Sequence, residues 1–114
     1  MSMTLATRDV NGVTIVDLSG KITLGEGGVT LREAVRKLLA DGNKKIVLNL
    51  GEVNYIDSSG LGELVSAYTA AKNAGGELKL LNLTSKVRDL LVITKLVTVF
   101  DVRDDEASSV SSFA

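Results

Sequence analysis

Asp57, Ser58 and Ser59 are consecutive, and Gly60, Leu61 and Gly62 follow them directly. A carboxylate beside two hydroxyls can cap a helix, orient a hydroxyl, or present one for modification. The flanking chain narrows the choice. Ahead of the group, Ile46-Val47-Leu48-Asn49-Leu50 is an apolar run of the kind found in buried strands. Behind it, Leu61, Leu64, Val65 and Tyr68 recur at the spacing of one helix face. The three polar residues therefore stand where a strand hands over to a helix. There the first backbone N–H groups are unpaired and the helix dipole is positive, so the junction can receive a phosphate or a carboxylate. Capping needs only one polar residue, worth about 1 kcal/mol over Ala. Three in a row, followed by two glycines that each cost about 1 kcal/mol in a helix, point to close approach at the backbone.

Other chemistries lack their residues. The sequence has no His and no Cys, which excludes disulfides, thiol nucleophiles, imidazole bases and imidazole metal ligands. Carboxylates remain as metal ligands, but no acidic loop has calcium-binding spacing, so neither metal nor cofactor is expected. Residues 19–28 form a glycine-rich stretch containing Lys21. A phosphate-binding P-loop ends in Gly-Lys-Ser/Thr at a helix start, whereas Lys21 precedes most of these glycines. Asp57 as an aspartyl-phosphate acceptor would need a magnesium ion held by further carboxylates, and a lysine beside the acyl phosphate. Asp17 has no acidic neighbour to form such a pair, and Lys95 is far along the chain. No constellation of nucleophile, base and oxyanion donors is recognisable, so no catalytic residue is assigned and no turnover is expected.

The elements that position the Asp57 junction can be read in order. Residues 3–10 and 13–18 are extended segments joined at Asn11-Gly12, the dipeptide favoured by a tight hairpin turn. Residues 19–28 read as a mobile loop. Residues 29–40 form an amphipathic helix with Leu31, Ala34, Val35, Leu38 and Leu39 on one face, and Gly42 suits its C-terminal stop. Residues 44–50 read as a central strand covered on both faces. The helix after the junction ends at Gly75-Gly76, and residues 78–83 form a further strand. Thr84 or Ser85 then caps a helix carrying Val87, Leu90, Leu91 and Thr94. Residues 98–102 read as a short last strand, and residues 104–112 as a final helix anchored by Ala107 and Val110. The order is β-β-α-β-α-β-α-β-α. It predicts an α/β fold: a mixed sheet made of an N-terminal hairpin plus parallel β-α-β units, with helices mainly on one face.

Residues 53–62 resemble the signature of STAS domains, the module shared by sulphate transporters and bacterial anti-sigma factor antagonists. The resemblance extends over nearly the whole chain and predicts a single STAS domain spanning residues 1–114. In the antagonists the motif opens the second helix, and its first serine is the phosphorylated residue. That residue corresponds to Ser58, with Ser59 the second candidate. The resemblance implies a protein-binding module that engages an anti-sigma factor acting as a serine kinase. It is released by phosphorylation and restored by a PP2C-type phosphatase. Asp57, Ser58, Ser59, Gly60, Leu61 and Gly62 would then meet the partner. Many antagonists carry an acidic pair after the second strand, where this chain has Gly20-Lys21-Ile22-Thr23. Lys21 and Thr23 are therefore expected to influence partner choice. The alternative implied by the same family is a non-switching scaffold subunit of a stress-signalling or lipid-transport assembly.

Bulk properties are those expected of a soluble globular domain. A chain of 114 residues with 45% hydrophobic and 24% charged residues is enough for one core. A net charge of -1 with mixed signs argues against a nucleic-acid footprint. No apolar run approaches the ~18 residues of a membrane span, and no basic flank precedes an apolar segment as in a secretion signal. A cytoplasmic location is the expectation.

Overall fold

Asn11 and Gly12 both take positive φ, 54° and 85°, the type I′ geometry that closes a two-residue hairpin. They join β1 (Met3–Val10) to β2 (Val13–Ile22). The computed structural model describes residues 3–23 and 26–113, the side chain of Glu26 excepted. After the hairpin come α1 (Glu26–Ala40), β3 (Lys45–Ile56), α2 (Ser58–Asn73), β4 (Glu77–Leu81) and α3 (Ser85–Ile93). A 3-10 turn (Leu96–Thr98), β5 (Asp101–Arg103) and α4 (Glu106–Ser111) complete the chain. The five strands lie in sequence order, with β1 antiparallel to β2 and every later neighbour parallel. This is the mixed α/β architecture expected from the element order.

The central strand is covered on both faces, as its continuous apolar run requires. Ile46 and Leu48 face a core shared with Leu31 and Val35 of α1, Leu64 and Ala71 of α2, and Val87 and Leu91 of α3. Val47 faces the other way, into a smaller cluster with Val13, Ile15, Leu81 and Val110 of α4. Three helices thus share one face, and the short last helix covers part of the other. Gly42, at φ 89°, ends α1 in a Schellman turn. Its N–H donates to the Leu39 carbonyl at 3.0 Å, and that of Asn43 to the Leu38 carbonyl at 2.8 Å.

Several boundaries differ from the sequence reading. The loop expected over residues 19–28 is mostly regular structure: β2 continues to Ile22, and α1 begins at Glu26 rather than at residue 29. Gly20 is a strand residue at φ 107° beside a shift in register with β3. Gly27 and Gly28 are buried in the first turn of α1. A Cβ on Gly27 would press on the Lys21 carbonyl, and one on Gly28 would lie 3.0 Å from both the Thr23 carbonyl and Glu63 Cγ. Those two glycines permit close packing; Leu24 and Gly25 lie outside the described residues. β3 extends six residues beyond the expected end, to Ile56, and β4 stops at Leu81. The last strand is confined to Asp101–Arg103, because residues 96–98 turn as 3-10 helix. In α4, Ala107 is exposed and Ser109 is buried. The Ser109 hydroxyl satisfies itself by donating to the Glu106 carbonyl at 2.8 Å.

Candidate functional site

β3 ends at Ile56 and α2 begins at Ser58, leaving Asp57 as the only residue between them. Its backbone is extended (φ -105°, ψ -176°), and its Oδ1 accepts the Gly60 N–H at 2.7 Å. Its carbonyl accepts the Leu61 N–H at 2.9 Å, the first bond of the helix. Asp57 is therefore the N-cap. That frees both serine hydroxyls from the capping role, and Ser58 and Ser59 are exposed on the first turn.

Gly60 and Leu61 do not reach the surface. A Cβ on Gly60 would overlap the carbonyl oxygen of Ile22, and that carbonyl also receives the Asp57 N–H at 3.4 Å. Gly60 lets the start of α2 seat directly on the end of β2, and Leu61, 6% exposed, is core. Both were expected at a partner surface; burial reassigns them to the fold. Gly62 is different: it is exposed, and an added Cβ would meet nothing within 4 Å.

The surroundings of the two serines are unequal. One helical turn beyond Ser58 stands Gly62, with no side chain. One turn beyond Ser59 stands Glu63, whose Oε2 accepts from Arg32 Nη1 of α1 at 3.1 Å. The other oxygen of Glu63 is buried without a hydrogen-bond partner among the described residues. One turn on, Ser58 thus has no side chain as its neighbour and Ser59 has a carboxylate.

Lys21 and Thr23 are brought to the same corner. Lys21 is exposed and pairs with Tyr55 in the β2–β3 ladder. Thr23 is half-buried, and its carbonyl accepts the Gly28 N–H at 3.0 Å. The starts of α1 and α2 both rest on the peptides of this short segment, so substitutions here sit at the junction of two helices.

Sequence reasoning missed an apolar surface beside the motif. Tyr55 is 45% exposed, Val92 54% and Ile93 77%. A groove of about 310 Å³ is lined by Tyr55, Ile56, Lys86, Asp89, Leu90 and Ile93. The signal was available in α3. Val87 and Leu91 mark its buried face, so Val92 and Ile93 fall on positions where a helix with no partner would carry polar residues. No group of three metal-ligating side chains occurs among the described residues, and no helix there is long and apolar enough to cross a membrane.

A five-stranded mixed sheet with a polar cap-and-serine motif opening its second helix defines a class, and the sequence profile of the STAS domain matches residues 4–109. The chain belongs to the STAS domain family. It is 36% identical over 87 residues to the anti-sigma-B factor antagonist of Bacillus subtilis strain 168, covering 76% of this chain and 78% of that one. Identity to the anti-sigma F factor antagonist of Paenibacillus polymyxa is 27% over 114 residues, covering 97% and 95%. Among solved structures, an anti-sigma factor antagonist from Mycobacterium paratuberculosis superposes with a TM-score of 0.85 at 23% identity, covering 97% of this chain and 93% of that one. Phosphorylated SpoIIAA from Bacillus gives a TM-score of 0.75 at 17% identity, covering 97% and 100%. These two likenesses establish the shared fold.

Proposed function

We propose that this chain is a phosphorylation-controlled binding module, an anti-sigma factor antagonist that docks an anti-sigma factor acting as a serine kinase and is released when Ser58 is phosphorylated. The observation that carries this reading is the division of labour at the α2 start. Asp57 supplies the cap, so the Ser58 hydroxyl is exposed and not needed by the fold. Gly62, one turn on, leaves room for a partner to approach it. The relatives named above are anti-sigma factor antagonists by name, and that likeness supports a binding role for this chain. Ser58 is favoured over Ser59 because a phosphate on Ser59 would face Glu63 one turn away, and like charges at that spacing repel.

The docking surface in this reading extends from Ser58, Ser59 and Gly62 to the groove of Tyr55, Leu90 and Ile93. An apolar centre rimmed by Lys86 and Asp89 has the composition of a protein-binding patch. Lys21 and Thr23 border it and tune partner choice. A phosphatase of the PP2C type restores the unmodified serine.

The switch works through the complex. A phosphoserine adds about -1.5 to -2 charges at neutral pH. Docked, those charges would be stripped of water beside Asp57, and an unfavourable juxtaposition across an interface costs several kcal/mol. Each 1.4 kcal/mol is about tenfold in affinity. Affinity for the cognate anti-sigma factor, measured by calorimetry, should fall about a hundredfold or more on phosphorylation. Ser58→Asp should reproduce part of the loss, and Ser58→Ala should bind but resist release. Equal affinity of phosphorylated and unmodified protein would reject the switch and leave the scaffold reading.

A further inference from the structure

β1 is an edge strand: among the described residues it pairs only with β2. The two-residue turn at Asn11-Gly12 dictates which of its backbone groups are used. Val10 and Val13 close the hairpin and exchange hydrogen bonds, and so, at every second position, do Arg8 with Ile15, Ala6 with Asp17 and Thr4 with Ser19. The N–H and C=O groups of Met3, Leu5, Thr7 and Asp9 therefore point to the outer edge. Among the described residues no backbone group meets them there. Sheets guard such edges with short strands, proline, bulges or charges turned inward. The far edge is guarded in this way, since β5 has three residues. β1 has eight, runs in unbroken register, and contains no proline.

We propose that the outer edge of β1 pairs with the same edge of a second copy, antiparallel about a two-fold axis at Ala6, joining two sheets into one. The strand is self-complementary for this. Its outward groups lie on alternate residues, so an antiparallel partner must match those residues with one another. One register uses all four: Met3 of one copy opposes Asp9 of the other, and Leu5 opposes Thr7. It places Ala6 against Ala6 and Thr4 against Arg8. No like charges stand directly opposite. The smallest side chain falls at the dyad, where a non-hydrogen-bonded pair brings the backbones closest. Arg8 is already committed to Asp17 and Glu106 of its own chain, so its charge is balanced before pairing. A two-fold interface of this kind is closed and stops at the dimer.

Sedimentation equilibrium of the full chain from about 1 μM to about 1 mM, a range spanning typical weak self-association, reads the proposal directly. Mass should rise toward twice that of the chain. Thr7→Pro removes an outward N–H and no bond to β2, so it should abolish the rise while circular dichroism and melting stay native. Ala6→Glu changes an exposed side chain and opposes two carboxylates at the dyad; it should abolish the rise too, with a small loss in melting temperature because residue 6 stands opposite Asp17 in the hairpin. The chain has no cysteine, so Ala6→Cys gives a clean cross-link. It should form a disulfide dimer about tenfold or more faster than Ala40→Cys, because pairing holds the two thiols at an effective concentration in the mM range. A monomer at every concentration overturns the proposal. So does a dimer that survives Ala6→Glu, which would place the interface elsewhere, or cross-linking no faster than at residue 40.

Discussion

A methyl group added at Gly60 would overlap the carbonyl oxygen of Ile22, whereas one added at Gly62 would meet nothing within 4 Å. Two glycines in one helical turn therefore carry different burdens, and substitution separates them. Gly60→Ala should destabilise by about 1–3 kcal/mol, the usual range for overpacking against atoms that cannot move aside. Gly62→Ala should stabilise by up to about 1 kcal/mol, since alanine is the better helix former and the position is open. Denaturant unfolding of both variants reads the two signs. Equal effects would mean that the start of α2 is not seated on β2 as described. If Gly62 also marks where a partner approaches Ser58, Gly62→Ala should weaken the complex while strengthening the fold. Only a residue kept for binding gives that combination.

At the scale of elements, what was legible followed from periodicity, and what was not followed from contacts the sequence does not display. The faces of α1, α2 and α3 are read correctly from Leu31 and Val35, Leu61 and Leu64, and Val87 and Leu91, whereas Thr94, expected on the α3 face, is its exposed C-cap. The extension of β3 was hidden because Gly51, Glu52 and Asn54 break its apolar run after Leu50. Gly27 and Gly28 were read as loop signals because nothing local says that Lys21, Thr23 and Glu63 will press on them. α4 was placed, but not what holds it. This six-residue helix is too short to persist alone, and it is tied down by charge. Arg8 reaches Glu106 at 2.6 Å and Asp17 at 2.6 Å. Lys79, 6% exposed, meets Asp101 at 2.8 Å and lies 4.7 Å from the centre of the Phe113 ring. Hydrogen bonds from Arg8 hold the carboxyls of Asp17 and Glu106 below their ordinary values, and bonds from Arg103 and Lys79 do the same for Asp101. A lowered folded pKa gives stability that is present above the unfolded value and lost as pH falls through the folded one. The window therefore opens below about pH 4, near the unperturbed carboxylate values. The Arg8 bridges are 35–41% exposed, so each is worth at most about 1 kcal/mol. Acidification through that window should raise amide hydrogen exchange in α4 before it does so in α2. Simultaneous loss of protection in both helices would contradict a separately tethered α4.

For the whole molecule, the question is whether a phosphate on Ser58 disturbs the cooperative fold or only its complexes. The chain carries a net charge of -1, so a further -1.5 to -2 charges adds little general self-repulsion. Locally the phosphate enters the first turn of α2, where N–H groups not engaged by Asp57 and the positive end of the dipole favour it by about 0.3–1 kcal/mol. Asp57, already hydrogen-bonded to Gly60, offsets part of that gain. The phosphoserine-58 protein, made by direct incorporation of the modified residue, should therefore melt no lower than the unmodified one and up to roughly 5 °C higher at low salt. Added salt should shrink the difference, because the charges are exposed and screened. Phosphoserine at residue 59 supplies the contrast. Its charge would face Glu63, which already has one buried oxygen without a partner among the described residues, so its melting temperature should fall below that of the unmodified protein. Calorimetric scans of the three proteins test both signs together. A large drop for phosphoserine-58 would mean that release works by unfolding the domain, and equal behaviour of the two phosphoproteins would remove the structural preference for Ser58.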